Sequence, residues 1–251
     1  FMQPDHGLVK TALVTGSSRG IGEAAARRLA QDGYRVVVVA RDGEAVAQVV
    51  KSLENKNIGH IGVSADLMSA RGRQSLFEQV PPQELACVVH NLGGSLGLSN
   101  FWASVDDYSA VWNFNVGVAH ELNEKVVPSM VSRGAGRLIF ISTLATRLGK
   151  GNAPYVVAKA GLEAYIRQLS RELKGSGVIA AGVRPGAIRV PNRYLANLEL
   201  SDPDQFETWL KENNSGISMG SPDEIAGVLS FLCSSDSSYL SGTIIDADGG
   251  V

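Results

Sequence analysis

Apolar positions along the chain fall into two alternating kinds of segment. Short runs rich in β-branched residues occur at 11–16 ("TALVTG"), 34–40 ("YRVVVVA"), 58–65 ("IGHIGVSA"), 85–91 ("LACVVHN"), 136–142 ("GRLIFIS"), 177–183 ("GVIAAGV") and 242–247 ("GTIIDA"). Longer stretches with helical spacing, such as "IGEAAARRLAQDG" and "GEAVAQVVKSLENK", lie between them. Runs such as "VVVV" and "LIFI" do not alternate with polar residues, which predicts strands buried on both faces. Strand–helix alternation repeated along a chain predicts an open, doubly wound α/β sheet with helices on both faces.

The rhythm breaks once. About 35 residues, 187–221, separate "GVRPGAI" from "SPDEIAGVLSFL" and carry Tyr194, Leu195, Leu198, Phe206, Trp209 and Leu210. A connection of that length in a compact domain is usually functional, so a substrate lid is expected there; the plainer alternative is a pair of helices covering the sheet. No linker or repeat divides the chain, so 1–251 reads as one domain, and its 44% apolar content suffices for a full core. The formal charge is −2, with acids and bases interspersed, which argues against nucleic acid or an acidic membrane as partner. No run of about 20 apolar residues predicts a membrane span. The first ten residues lack the pattern of a secretory leader, so a cytoplasmic location is expected. Cys87 and Cys233 sit in apolar runs; two buried free thiols in a reducing compartment are favoured over a structural pair.

Candidate chemistry begins at "ALVTGSSRGIGEAAARRLA", a strand, a turn and a helix. Gly16, Gly20 and Gly22 follow a G-xxx-G-x-G spacing, with Ser18, Arg19 and Ile21 in the same turn. Such a turn exposes backbone N–H groups at a helix N-terminus, where an anion is favoured, and lets the backbone approach a pyrophosphate. The next strand ends in Ala40 and Arg41 rather than an acid. An acid near that strand end would hold the ribose hydroxyls of NAD. Arg41 with Arg19 suits a 2′-phosphate instead, favouring NADP(H) over NAD(H). Asp42, one residue later, keeps NAD in play, and two solvated surface arginines are the plain alternative.

Tyr155 and Lys159 in "YVVAK" are four residues apart, on one face of a helix. A phenol has a reference pKa of about 10, too high for a good base at neutral pH, and a nearby ammonium favours the phenolate. The pair could therefore serve as an acid/base for a carbonyl or an alcohol. His6, His60, His90 and His120 show no ligand spacing, and no metal is expected. His90 ends a strand near the site and could touch substrate or simply be a satisfied strand-end residue.

With "TGSSRGIG" (15–22), "HNLGG" (90–94), "WNFNVG" (112–117), "IFIST" (139–143), "YVVAK" (155–159) and "RPGAI" (184–188), the chain resembles the short-chain dehydrogenase/reductases. The likeness is to the branch of about 250 residues that includes 3-oxoacyl-carrier-protein reductases. It implies a single Rossmann-type domain with a seven-stranded parallel sheet. It also implies a catalytic tetrad of Asn115, Ser142, Tyr155 and Lys159. Ser142, thirteen residues before Tyr155, would bind the substrate oxygen, and Tyr155 would transfer the proton. Lys159 would lower the phenol's pKa and hold the nicotinamide ribose, and Asn115 would hold a relay water. Asp66 would bind the adenine amino group with Leu67 beside it. Asn91, Leu92 and Gly93 would line the cofactor ribose, and Pro185, Gly186 and Ile188 would meet the nicotinamide. A homotetramer, or a dimer, built on the helices carrying Asn115 and Tyr155 is implied as well.

The chain departs from the family pattern in three places. Leu92 stands where Ala is usual, Val190 stands where a Thr often touches the carboxamide, and Gly93, Gly94 and Gly97 make one loop unusually rich in glycine. The expected activity is NADP(H)-dependent interconversion of a ketone or aldehyde with an alcohol, on a small-molecule substrate. A 3-oxoacyl-thioester reductase is the alternative; it would call for a basic carrier-docking surface, for which Arg147, Lys150 and Arg193 are candidates. A second alternative is a nucleotide-binding regulator without turnover.

Overall fold

The computed structural model describes residues 9–191 and 194–251; His6 and Arg193 lie outside them. Seven strands form where the β-branched runs stand: β1 (Thr11–Thr15), β2 (Arg35–Ala40), β3 (Ile61–Ser64), β4 (Leu85–His90), β5 (Gly136–Ile141), β6 (Val178–Pro185) and β7 (Ile244–Ala247). They make one sheet in the order β3-β2-β1-β4-β5-β6-β7, with every pairing parallel. The helices are α1 (Gly20–Gln31), α2 (Gly43–Ser52), α3 (Ala70–Gln79), α4 (Val105–Trp112), α5 (Val118–Arg133), α6 (Ala145–Leu148), α7 (Ala153–Glu172), α8 (Tyr194–Ser201), α9 (Pro203–Asn213) and α10 (Pro222–Cys233).

Alternating side chains of each strand enter two separate cores, which is why stretches such as "VVVV" and "LIFI" carry no polar positions. Leu13, Val37, Val88, Leu138 and Phe140 pack with Leu76 of α3, Leu122 of α5 and Leu162 and Ile166 of α7. Ala12, Val14, Val36, Val38 and Ile139 pack with Leu29 of α1, Val46 of α2 and Leu229 of α10. Each large aliphatic chain so buried stabilises the fold by about 1.5–3 kcal/mol relative to exposure. The free thiols Cys87 and Cys233 are buried in the second core, with their Sγ atoms 2.8 Å apart.

The chain runs outward from β1 to β3, then returns to β4 on the other side of β1. Ligands of doubly wound sheets bind beyond the carboxyl ends of the strands at such a switch point. Here those ends deliver Gly16, Arg41, Asp66, Asn91, Ser142–Thr143 and Pro185–Gly186 to one edge of the sheet.

Residues 187–221 form a helical pair, α8 and α9, around a small core of Leu198, Phe206 and Met219 with Leu195, Trp209 and Leu210 against it. Its two ends are joined. Arg189 N donates to Gly220 O (2.8 Å), and Gly220 N donates to Ala187 O (2.9 Å). The segment is therefore an excursion from a closed base rather than part of the main layers.

Candidate active site

The glycine turn after β1 is held by side chains beneath it. Ser17 Oγ donates to Val14 O (2.7 Å) and accepts from Val39 N (2.9 Å), which fixes the turn to β2. Asn91 Nδ2 donates to Thr15 O and Gly16 O, each at 2.9 Å, while Asn91 N and Leu92 N both donate to Thr15 Oγ1 at 3.0 Å. Asn91 thus shapes the turn. At Gly22 a Cβ would stand 2.5 Å from Asn91 Nδ2 and from Gly16 O, so only glycine lets helix α1 begin this close to the turn. Helix α1 starts at Gly20 with no side chain capping its N-terminus, leaving its first N–H groups for an anion. Leu92, half-buried, lies against Gly16.

Around this cradle the rim is basic. Arg19 and Arg41 are exposed, and among the described residues neither forms an ion pair. Asp42, which could have served a ribose, caps α2: its Oδ1 accepts from Glu44 N and Ala45 N, each at 3.1 Å. Asp66 is exposed, with Oδ1 accepting from Met68 N (3.0 Å). Leu67 turns into the first core and is almost fully buried, so its side chain does not sit beside Asp66 on the cleft wall.

Asn115 lies in a single π-helical turn, Asn113–Gly117, that joins α4 to α5. Such turns mark functional sites frequently. Its Oδ1 accepts from Gly94 N (3.0 Å), and its Nδ2 donates to Gly94 O and Val111 O (2.8 Å each). The loop after β4 is thereby clamped to α4. A Cβ on Gly93 would stand 2.5 Å from Asn115 Oδ1 and 3.1 Å from Lys159 Nζ. Gly93, Asn115 and Lys159 therefore converge, and the loop's glycines allow it.

Tyr155 and Lys159 project from the first turns of α7. Lys159 is buried; its Nζ donates to Ile141 O (2.6 Å) and lies 5.8 Å from the centre of the Tyr155 ring. Burial lowers its pKa to about 7. Tyr155 keeps part of its ring exposed to the cleft, yet loss of water around its hydroxyl pushes the phenol up to about 12; a hydrogen bond from Thr143 opposes that rise. Loss of water sets the direction of the phenol's shift, and burial draws Lys159 toward its neutral form.

The structure departs from the sequence reading at Ser142. Its hydroxyl does not face Tyr155. Ser142 is buried, and its Oγ donates to Glu163 Oε1 of α7 at 2.6 Å. The reason is strand alternation. Ser142 continues the face of Leu138 and Phe140, which packs on the body of α7, and the next residue, Thr143, takes the opposite side. Thr143 is the half-buried hydroxyl that favours the Tyr155 phenolate. Counting thirteen residues back from the tyrosine gives Ser142, whose hydroxyl is turned to Glu163.

Comparison with known proteins agrees with this architecture. A family model described as Enoyl-(Acyl carrier protein) reductase matches residues 16–251. The chain belongs to the short-chain dehydrogenase/reductase family. It is 34% identical to bovine (Bos taurus) dehydrogenase/reductase SDR family member 4, over 96% of this chain and 86% of that protein. It is 31% identical to the 3-oxoacyl-[acyl-carrier-protein] reductase MabA of Mycobacterium tuberculosis, over 96% of this chain and 92% of the relative. A solved 3-oxoacyl (acyl-carrier-protein) reductase from Agrobacterium tumefaciens with NADP bound superposes with a TM-score of 0.85 at 26% identity, over 96% of this chain and 94% of that one.

Within this short-chain dehydrogenase/reductase the remaining expected residues have clear placements. Pro185 O accepts from Leu144 N (2.9 Å), which joins the Pro185–Gly186 loop to the segment after Thr143. Ile188 packs against the second core, and Val190 lies over the cofactor turn, 3.1 Å from where a Gly20 Cβ would be. His90 is buried and neutral, with its pKa lowered to about 4 by burial. Its Nε2 meets Asn123 Oδ1 at 2.9 Å, and its ring stacks on Phe140, so it is a satisfied strand-end residue. Arg147 pairs with Asp246 (2.8 Å) and Asp248 (3.1 Å), and Lys150 donates to Glu212 O at the end of α9 (2.9 Å). Two of the three bases offered for carrier docking, Arg147 and Lys150, are thus bound within the chain, and the third, Arg193, lies outside the described residues.

Proposed function

We propose that this chain is an NADP(H)-dependent oxidoreductase that interconverts a ketone or aldehyde and an alcohol, with Tyr155 as its acid/base. One observation carries the reading: a hydroxyl, a phenol and an ammonium, Thr143, Tyr155 and Lys159, stand together beside a glycine cradle that a Cβ would fill. The cradle fits a dinucleotide. Gly16, Ser18, Gly20, Ile21 and Gly22 would hold its pyrophosphate, and Lys159 with the loop at Gly93 its nicotinamide ribose. When bound, nicotinamide supplies or accepts the hydride. Tyr155 then gives its proton to the carbonyl oxygen, or takes one from the alcohol. Thr143 donates a hydrogen bond to that oxygen as charge develops on it. Asn115 holds the loop that brings Gly93 against Lys159. The excursion at 187–221 acts as the lid, with Lys150 latching its α9 to the loop before Tyr155.

Reduction of 3-oxoacyl thioesters, the activity in MabA's name, is the alternative. The occupied Arg147 and Lys150 weigh against a carrier protein as its donor. A regulator without turnover would have no use for a phenol and a hydroxyl paired across the cleft. Steady-state assays of a ketone, aldehyde and 3-oxoacyl-thioester panel with NADPH decide among these. Turnover of simple carbonyls is expected, and no turnover of any member would sink the enzymatic reading.

The choice of NADP(H) rests on the rim. Arg41 and Arg19 are exposed there without ion-pair partners among the described residues, and Asp42 is engaged in capping α2. A hydrogen bond to a charged group contributes about 1.5–3 kcal/mol. At about 1.4 kcal/mol per factor of ten, one such contact gives roughly 10- to 150-fold preference, before screening by salt reduces it. NADPH should exceed NADH by about tenfold or more in kcat/KM, and Arg41→Ala should remove most of that difference while sparing NADH activity. Equal rates with the two cofactors would reject the assignment.

A homo-oligomer completes the reading. Phe101, Trp102, Val105, Trp112 and Val157 leave large apolar surface exposed around a cleft of about 540 Å³ between α4 and α7. Apolar patches of this kind mark interaction sites, and the family resemblance favours a second copy as the partner. Light scattering should give a dimer or tetramer, and a particle of 26.5 kDa at micromolar concentration would contradict it. A cytoplasmic location goes with the reading, supported by two buried thiols that suit a reducing compartment.

A further inference from the structure

Glu163 lies on α7 eight residues after Tyr155, away from the cleft and almost fully buried. It receives an unusual number of donors. Its Oε1 accepts from Ser142 Oγ (2.6 Å), Thr146 Oγ1 (2.7 Å) and Arg184 Nε (3.0 Å), and its Oε2 accepts from Arg184 Nη2 (2.8 Å). These donors come from three elements. Ser142 immediately precedes Thr143, Thr146 lies in α6, and Arg184 immediately precedes Pro185 at the end of β6. Arg184 continues through Nη1 to Asp246 of β7, which also pairs with Arg147 of α6.

A carboxylate buried this deeply is costly unless paired and hydrogen-bonded, and here its acceptor sites are filled by a guanidinium and two hydroxyls. Against the effect of burial, the Arg184 guanidinium and the hydroxyls of Ser142 and Thr146 lower its pKa and hold it ionised. The consequence is geometric. The helix that carries Tyr155 and Lys159 is bonded, through one side chain, to the residue beside Thr143 and to the residue beside the Pro185–Gly186 loop. The segment that carries Thr143 and the Pro185–Gly186 loop are thus both tied to α7 at Glu163.

We propose that Glu163 is a positioning residue, which acts through Ser142 to hold Thr143 against the Tyr155 hydroxyl. This explains why a serine occupies a buried strand end where an apolar residue would pack: it delivers the strand's register to the helix. The inference rests on the oxidoreductase reading given above.

Two variants test it. Glu163→Gln leaves a side chain of equal size that no longer matches all its donors. Ser142→Ala cuts only the link to β5 and keeps the Glu163–Arg184 pair, so it remains informative if the first variant folds poorly. Turnover should fall by about tenfold or more in Glu163→Gln and by about three- to tenfold in Ser142→Ala, with the KM for NADPH unchanged, since misplacement of a reacting group by about 1 Å can cost as much as 10²-fold. The pH profile of alcohol oxidation separates positioning from mere stability. Thr143 favours the phenolate of Tyr155, so loosening it should move the rising limb of oxidation upward by about half a pH unit or more in both variants. If wild type turns over but both folded variants keep its kcat and its pH limb, Glu163 is only structural and the inference falls. If wild type turns over no carbonyl or alcohol, the oxidoreductase reading falls first and takes this inference with it.

Discussion

Replacing Tyr155 with Phe is expected to lower turnover by about 10²- to 10⁴-fold, the scale of general acid–base catalysis, with NADPH binding nearly unchanged. The substitution keeps the ring that Lys159 approaches and removes only the hydroxyl bonded to Thr143. No nearby group can replace it. His90 is buried and bonded to Asn123, and its pKa of about 4 leaves it no proton to give at neutral pH. Lys159 is turned to Ile141 O, away from a role as donor to the cleft. The direction of the Tyr155 shift also separates the two reactions. A phenol raised to about 12 stays protonated through the neutral range, so it is ready to donate in carbonyl reduction. It accepts a proton only as its phenolate, so alcohol oxidation should rise with pH in that range. Measured kcat for the variant beside a fluorescence titration of NADPH checks the claim; a variant retaining most of its activity would assign the proton to another group.

The sheet was legible because burial on both faces leaves a plain signature. "VVVV" and "LIFI" admit no polar residue, and their side chains enter the two cores alternately. The glycine turn was legible for a related reason: at Gly22 a Cβ would collide with Asn91 and Gly16, and only glycine resolves that. The excursion at 187–221 announced itself as a break in rhythm, and it holds two helices around a small core. What sequence could not give was the direction of side chains at element ends. Asp42 looked available for a ribose until the start of α2 claimed its carboxylate. Leu67 was expected beside Asp66, and its side chain packs into the core. The Tyr155–Lys159 spacing was readable, but the sign of the resulting pKa depended on desolvation, which no spacing reports. At Ser142 the missing information was a single step of strand alternation. That signal was present in the sequence, since extending the Leu138–Phe140 face by two residues points Ser142 at α7.

Thr143→Val is accordingly expected to harm catalysis far more than Ser142→Ala. Valine has nearly the shape of threonine and lacks only the hydroxyl, so the end of β5 should keep its course. Thr143 Oγ1 also accepts from Ala145 N, but at 3.3 Å that bond is weak, and its loss should cost little stability. The catalytic loss is different in kind. A hydroxyl aimed at an oxygen that gains negative charge contributes mainly in the transition state, and removing one such donor costs about 10²- to 10³-fold in kcat. The same change removes the hydrogen bond that favours the Tyr155 phenolate, so oxidation should suffer at least as much as reduction. Ser142 is buried with its hydroxyl on Glu163, so its removal should act through the placement of Thr143. Steady-state kinetics of both variants in both directions, on protein shown by circular dichroism to be folded, decide the order. A Thr143→Val enzyme as active as wild type, beside a Ser142→Ala enzyme crippled by 10²-fold or more, would mean that β5 rotates its last residues when substrate binds and that Ser142 is the working hydroxyl after all.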